Sequence, residues 1–278
     1  MAFWRVPEPR RYNSRFMDAA SPPIIEFENV TIHRDGTPAL REVTFRIARG
    51  QHTVILGPNG SGKSTLIKAL TRELYPRYPE RSHLRLWGRE TWHLFELRSL
   101  LGIVTNDLVN DCTRPYTALE TALSGFFSSI GIWPNHKVTP EMEQRAMEAL
   151  RFFDLEPLAS RPLTEMSSGE VRRAVFARAL VHDPKALVLD EPSNSLDVRA
   201  QHEVREAMSR LARSGVTVIL VTHHLSDIIP EIRRAVLLKE GRIVFDGEKE
   251  SALNPERLSA LFGVPVRVQA ADGLYHMW

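Results

Sequence analysis

The stretch GPNGSGKST, residues 57–65, could hold a polyphosphate. Gly57, Gly62, Lys63 and Ser64 fit the spacing G-x-x-x-x-G-K-[ST]. In that pattern the glycines let backbone N–H groups curl around phosphate oxygens. The lysine reaches the β- and γ-phosphates, and the hydroxyl behind it ligates Mg2+. Pro58, Asn59, Gly60 and Ser61 make the turn and Thr65 completes it, so residues 57–65 together are the candidate nucleotide-binding loop. ALVLDE, residues 186–191, is an apolar run ending in two acids. Asp190 suits a Mg2+ held through water, and Glu191 suits the polarising of an attacking water. Pro192 follows, so by themselves the two acids read equally as a helix N-terminal carboxylate pair. VTHH, residues 221–224, closes another apolar run. A histidine there can donate to a γ-phosphate. His223 follows the run directly and is the candidate, whereas His224 is expected to face elsewhere. Taken alone, a histidine at a strand end is more often structural.

A fourth stretch, LTEMSSGEVRRAVFARAL at 163–180, opens a long helical pattern with the small-residue turn Ser167-Ser168-Gly169. Free N–H groups at a helix start attract anions. The chain therefore offers two anion sites, far apart in sequence.

The elements that must position these residues alternate. IIEFENVTIH (24–33) and LREVTFRIA (40–48) read as strands around a Gly-Thr-Pro turn. HTVILG (52–57) is a buried strand that runs into the phosphate loop. The helix after it repeats Leu66, Ile67, Leu70 and Leu74 at helical spacing. HLRLWG and LLGIVTN are further strands. From about Tyr116 to Arg161 no strand signal is present; ALETALSGFF and PEMEQRAMEALRFFDL read as helices around the loop GIWPNHK. KALVLDEP, VTVILVTHH, RAVLLKEG and RIVFDG are strands again. VRAQHEVREAMSRLARSG is an amphipathic helix with Val204, Ala207, Met208 and Leu211 on one face and Gly215 as its stop. The alternation predicts a mixed α/β sheet covered by helices. The end of the chain, FGVPVRVQAADGLYHMW, reads as a hairpin over about 263–278 with its turn at Asp272-Gly273, a structural cover.

Composition narrows the class. The 278 residues are 43% hydrophobic and 25% charged, with a formal net charge of +2. That balance is globular and gives no electrostatic pointer to nucleic acid. A single cysteine, Cys112, excludes an internal disulfide and a cysteine zinc cluster, and fits a reducing compartment. No apolar stretch approaches the roughly 18 residues of a membrane helix, so a cytoplasmic protein is expected. Residues 1–23 carry four arginines and four prolines without a period and read as a disordered or loosely docked tail. Met17 is an alternative start.

The order Gly57–Thr65, Met166–Glu170, Leu187–Glu191, SNSLD (193–197) and His223 resembles an ATP-binding cassette (ABC) ATPase over about residues 24–278. The resemblance implies a P-loop NTPase core with a mixed or antiparallel β subdomain and an inserted helical subdomain, about 107–170, bearing the signature. It also implies ATP and Mg2+ as cofactors. Two cassettes, as a homodimer or a cassette heterodimer, then pack head to tail on binding ATP. Ser167, Ser168, Gly169 and Glu170 of one close on the γ-phosphate held by the other, with Ser195 and Asp197 along the seam. This accounts for two anion sites in one chain: each supplies half of two composite sites. Three positions depart from the family pattern. Met166-Ser167-Ser168-Gly169-Glu170 replaces Leu-Ser-Gly-Gly-Gln, and Glu170 brings a negative charge near phosphate. Asn106 stands where a glutamine reaches the metal or the attacking water. Arg34 or His33 stands where an aromatic stacks on adenine; Arg stacks on bases too, though a solvated turn arginine is an equal reading.

An ATPase of this kind resembles the energy subunit of a transporter, with separate membrane permease subunits docking near NDLVNDCTRPYTALETALSG and the chain on the cytoplasmic face of the membrane. The alternative is a soluble single-cassette ATPase with a regulatory, repair or nucleic-acid- or ribosome-linked role; one cassette and no strong basic patch weigh against it. A kinase or switch of unrelated P-loop type is disfavoured by the signature and SNSLD. LSGFFSSIGIW, LTEMSSGEVRR and VTHHLSDIIPEI further resemble the molybdenum-transport or photorepair branch of single cassettes.

Overall fold

The computed structural model describes residues 22–278 apart from 79, 113 and 272. The expected tail and the alternative start at Met17 therefore lie outside the described residues, save Pro22 and Pro23. Strands β1 (Ile25–Arg34) and β2 (Thr37–Ile47) form an antiparallel pair. Their turn is the two-residue Asp35-Gly36, with φ of 50° and 80°, and not the expected Gly-Thr-Pro. Positive φ at both central residues matches the twist of the strands, and Pro38 already pairs within β2.

Strand β3 (Thr53–Leu56) leads into helix α1 (Lys63–Leu70). Leu66, Ile67 and Leu70 are buried as expected, while Leu74 falls beyond the helix end. β4 (His83–Leu86) joins β1 to complete a three-stranded antiparallel sheet, β2-β1-β4. α2 (Leu94–Leu100) and β5 (Leu101–Val104) follow. The expected strand LLGIVTN is thus shorter at both ends, because Leu100 closes α2 and Asn106 opens α3 (Asn106–Cys112).

α4 (Ala118–Phe127) and α5 (Pro140–Phe152) build the helical insertion. Thr117 and Thr139 cap them, and Pro140 occupies a first-turn position where its missing N–H costs nothing. The neck of the insertion is tied: Ala118 N donates to Arg161 O at 3.1 Å and Leu163 N to Tyr116 O at 2.9 Å. A single bridge between Thr117 and Pro162 is the strand-like pairing in a segment expected to have none.

α6 (Ser168–Leu180), β6 (Ala186–Asp190), α7 (Val198–Arg213) and β7 (Thr217–Thr222) return the chain to the sheet. Val204, Ala207, Met208 and Leu211 of α7 are buried, as their spacing requires. β8 (Arg234–Lys239), β9 (Arg242–Glu248), α8 (Lys249–Ala252) and α9 (Pro255–Phe262) precede a closing hairpin, β10 (Val268–Ala271) with β11 (Leu274–Met277). Ala271 pairs with Leu274, so the turn falls at 272–273, and Asp272 itself is outside the described residues.

The main sheet runs β5-β6-β7-β3-β8-β9, parallel but for β9. β3 and β7 are buried at every position, the mark of a sheet covered on both faces. Val54 and Leu56 pack with the helices of the insertion and α7, while Ile55 packs with β1, β2 and α1. Alternation along one strand thus joins two cores. The architecture is the expected α/β one: a mixed sheet, an antiparallel β layer and a helical arm. Since β6, β7 and β3 are neighbours, the segments leaving their carboxyl ends converge, and open α/β sheets bind ligands at that edge.

Candidate functional site

The loop between β3 and α1 is shaped by two glycines. A Cβ at Gly57 would sit 2.3 Å from Leu238 O, so no side chain fits there. Gly62 has φ of 111°, which L side chains rarely adopt, and precedes α1 directly. The first-turn N–H groups of α1 have no intrahelical acceptors, and the helix dipole adds positive potential there. Asn59, Gly60 and Ser64 are exposed, while Ser61, Lys63 and Thr65 are buried. Pro58 is half-buried and accepts from Ser61 N at 3.2 Å. Ser61 Oγ is buried without a hydrogen-bond partner. Lys63 bends back under the loop: its Nζ donates to Gly57 O at 2.7 Å and Pro58 O at 3.2 Å. The same Nζ lies 3.5 Å from Glu191 Oε1. Burial pulls the Lys63 ammonium down from its ordinary pKa, and Glu191 and Asp190 oppose that pull. The loop is therefore a cradle of donors with one buried cation at its base, which fits an anion of several oxygens.

Asp190 ends β6, paired in register with Val221 of β7. Burial, then the neighbouring Glu191, pushes the Asp190 carboxyl up to about 6. Glu191 has φ of 47° and its N–H donates to Val221 O at 2.8 Å, so the backbone leaves the strand sharply and turns this carboxylate inward. Thr222 Oγ1 lies 3.0 Å from Glu191 Oε2, and His223 Nδ1 lies 2.7 Å from Glu191 Oε1. A carboxylate oxygen accepts, so Nδ1 carries the hydrogen and Nε2 is the atom of His223 that remains for another partner. Glu191, Lys63 and His223, read as separate candidates, thus form one connected group. Ser64 and Asp190 offer a hydroxyl and a carboxylate, a hard oxygen set suited to Mg2+.

His224 does not face away from His223. Their ring centroids are 3.8 Å apart, tilted by 40°. The short 3-10 turn Leu225–Asp227 follows β7 so closely that both rings are held on the same side.

Asn106 is engaged elsewhere. Its Oδ1 accepts from Arg172 Nη1 at 2.8 Å, and Arg172 Nη2 donates to Asn194 O at 3.3 Å. Arg172 is buried and links α3, α6 and the segment after Glu191. Arg34 is exposed, with its Nε 3.8 Å from Asp35 of the hairpin turn. His33, the alternative at that place, has a buried Nδ1 without partner and an edge contact to Tyr78 with centroids 6.4 Å apart.

The start of α6 is a reciprocal cap. Ser167 Oγ accepts from Glu170 N at 3.3 Å, and Glu170 Oε2 accepts from Ser167 N at 2.7 Å. The Glu170 carboxylate is thus folded back on its own helix terminus. The pattern Ser-x-x-Glu signals this arrangement in the sequence, and it turns the Glu170 carboxylate toward Ser167 N. Ser167 and Ser168 are exposed, and Gly169 is buried with its Cα side toward Ala200 of α7. Ser167→Ala removes one half of the cap and is expected to lower stability by about 1 kcal/mol, read as a shift of the urea midpoint at unchanged slope. Ser195 is exposed with φ of 63°, and Asp197 caps α7 by accepting from Ala200 N at 2.8 Å.

Two buried residues escaped the sequence reading. Asp227 is fully buried, and accepts from Ser193 Oγ and, at 2.8 Å, from Thr222 Oγ1. Burial raises its carboxyl pKa against the pull of those two bonds. Asp227 ties the segment after Glu191 to the end of β7, and Arg172 ties that same segment to α3. No local pattern marks either, since their partners come from other elements.

The model of the ABC transporter family matches residues 40–194. The chain is 31% identical over 247 residues to the ABC transporter ATP-binding protein YlmA of Bacillus subtilis (strain 168), covering 88% of this chain and 93% of that protein. It is 34% identical over 239 residues to the energy-coupling factor transporter ATP-binding protein EcfA of Carboxydothermus hydrogenoformans, covering 84% of each. The dimeric structure of MJ0796, a bacterial ABC transporter cassette, is similar with a TM-score of 0.66 and 27% identity, covering 81% of this chain and 98% of that one. Phosphate loop, acid-ended strand and the P-loop NTPase sheet agree with these likenesses: the chain belongs to the ABC transporter family, as an ATP-binding, ATP-hydrolysing cassette.

Proposed function

We propose that this cassette drives a transport step carried out by separate membrane subunits, working as a head-to-tail dimer with two composite ATP sites. The observation that carries the reading is the pairing of two unlike anion sites in one chain. One is a loop with a buried lysine under it. The other is the exposed, capped start of α6, whose Ser167 hydroxyl hydrogen is unused by the cap. A helix start of this kind supplies donors and dipole to a phosphate presented by a second copy.

In each composite site Gly57–Thr65 would wrap the phosphates of ATP. Lys63 would exchange Glu191 and one of its carbonyl acceptors for the β- and γ-phosphate oxygens, using its three ammonium hydrogens. Glu191 would take a proton from the water that attacks the γ-phosphorus, as ADP leaves. His223 would hold Glu191 through its Nδ1 hydrogen and, as the imidazolium, donate its Nε2 hydrogen to the γ-phosphate. Ser64 and Asp190 would hold Mg2+, which would supply charge neutralisation at the phosphates. Asn106 would reach that metal only on leaving Arg172. Arg34 is the candidate for the adenine face, and Ser195 and Asp197 lie on the segment proposed for the dimer seam. The insertion over about 107–170 is the arm proposed to present the signature and to receive the membrane subunit.

The transport role is supported by the relatives. EcfA of C. hydrogenoformans is the ATP-binding protein of an energy-coupling factor transporter. Among the described residues no helix is long and apolar enough to cross a membrane, so the membrane-crossing part would belong to a partner, with this chain on the cytoplasmic face. Placement in the molybdenum-transport or photorepair branch rests on three sequence stretches alone. The test is a pull-down of the tagged protein from detergent-solubilised native membranes, beside the soluble fraction. Stoichiometric recovery of a polytopic membrane protein is expected. Recovery from the soluble fraction alone, with ribosomes or DNA-bound proteins, would replace the transport reading with the soluble one.

A further inference from the structure

Glu191, His223 and His224 each bring one ligand atom to a common point. One ring nitrogen from each histidine and one carboxylate oxygen lie within 4.8 Å of one another. The geometry points to a second metal site here, for a zinc-class divalent cation, that shuts off hydrolysis when filled.

The donor set decides the class of ion. Mg2+ takes oxygen ligands and keeps much of its water. Two imidazoles and one carboxylate suit zinc and its neighbours instead, and leave a fourth tetrahedral position for water. The site is thus chemically distinct from the oxygen set of Ser64 and Asp190. Its parts are already gathered. The two ring centroids lie 3.8 Å apart, tilted by 40°, on one side of the strand end. The Glu191–His223 contact of 2.7 Å is shorter than the separation of about 3.3 Å between two ligands on a tetrahedral zinc. A small parting of that hydrogen-bonded pair therefore admits the ion. The hydrogen on Nδ1 passes to the other ring nitrogen or to solvent as the metal enters.

The surroundings also fit. Thr222 Oγ1 lies 3.0 Å from Glu191 Oε2 and holds the carboxylate plane, while Asp227 holds Thr222 from behind at 2.8 Å. Outer partners of this kind orient metal ligands. Glu191 and His223 are half-buried or buried, and His224 is half-buried, so the ion has an open approach and a restricted set of partners. Lys63 Nζ, 3.5 Å from Glu191 Oε1, is the competing cation. It keeps two carbonyl acceptors when it yields that oxygen. An ion seated here occupies the two side chains assigned to water activation and γ-phosphate contact, so hydrolysis stops. That inhibitory consequence rests on the proposed function; the binding itself does not.

The test uses the nucleotide-free full chain, purified without a histidine tag and titrated calorimetrically with ZnCl2 in excess Mg2+. Expected is a saturable step of one Zn2+ per chain, weakened about tenfold or more in His224→Gln and unchanged in His276→Gln, whose histidine lies exposed on β11. In parallel, His224→Gln keeps its Mg2+-dependent ATPase activity, which shows that it folds, and resists Zn2+ concentrations that inhibit the parent chain more than tenfold. No one-to-one step in the parent chain, equal binding by His224→Gln, or loss of the step in His276→Gln each overturns the site. Binding that depends on His224 but leaves hydrolysis untouched overturns the inhibitory role. If neither protein hydrolyses ATP, the functional reading fails while the titration still decides the site.

Discussion

Glu191→Gln is expected to lower steady-state ATP hydrolysis by about 100-fold or more while ATP binding persists, and to hold two chains together when ATP and Mg2+ are present. General-base removal of this kind costs about 10²–10⁴-fold. Glutamine keeps the shape of the side chain, so its amide stays within hydrogen-bond reach of Thr222 Oγ1, now 3.0 Å from Glu191 Oε2. It removes the negative charge 3.5 Å from Lys63. That charge would oppose the γ-phosphate and hold Lys63 back from it, so its loss favours the bound state as well as blocking turnover. Phosphate release measures the first effect, and sizing chromatography with ATP and Mg2+ measures the second. A variant that binds ATP yet stays monomeric would count against the composite-site reading and leave only the chemistry of a single cassette.

Lys63→Ala is expected to weaken ATP binding by about 100-fold or more. The ammonium would give up Glu191 for two phosphate groups, and charge-assisted bonds of this kind contribute about 1.5–3 kcal/mol each. Truncation has a second cost. Gly57 O and Pro58 O lose the donor that now spans them at 2.7 and 3.2 Å, and the buried Glu191 carboxylate loses its cation. The cradle then lacks both its charge and the brace that holds its shape. A titration with a fluorescent ATP analogue, in Mg2+, reads the loss directly. Binding within threefold of the parent chain would mean that Lys63 belongs to the loop's structure and not to the phosphate site.

These two variants act on a site that was legible in the sequence only in pieces. The phosphate loop, the acid-ended strand, the histidine after β7 and the start of α6 are local signals. Glycine spacing, apolar runs of strand length and a capping residue follow from backbone sterics and from hydrogen bonds a few residues long. Each therefore read correctly as an element. The buried face of α7 was equally plain, because helical spacing alone sets which side of a helix meets the core.

What the chain alone determined, then, is which residues stand at the carboxyl ends of β3, β6 and β7. What only the tertiary structure decided is which of them touch. The register that sets Asp190 against Val221 brings Glu191 beside Thr222 and His223, and the β3–β7 pairing brings Lys63 beneath them. The tight turn at Leu225–Asp227 puts His224 against His223 where sequence alone sent it away. Arg172 claims Asn106, and the fully buried Asp227 braces two loops, through bonds between elements distant in sequence. Such contacts depend on strand order and on the packing of α6 against the sheet, and neither is encoded in any short run of residues.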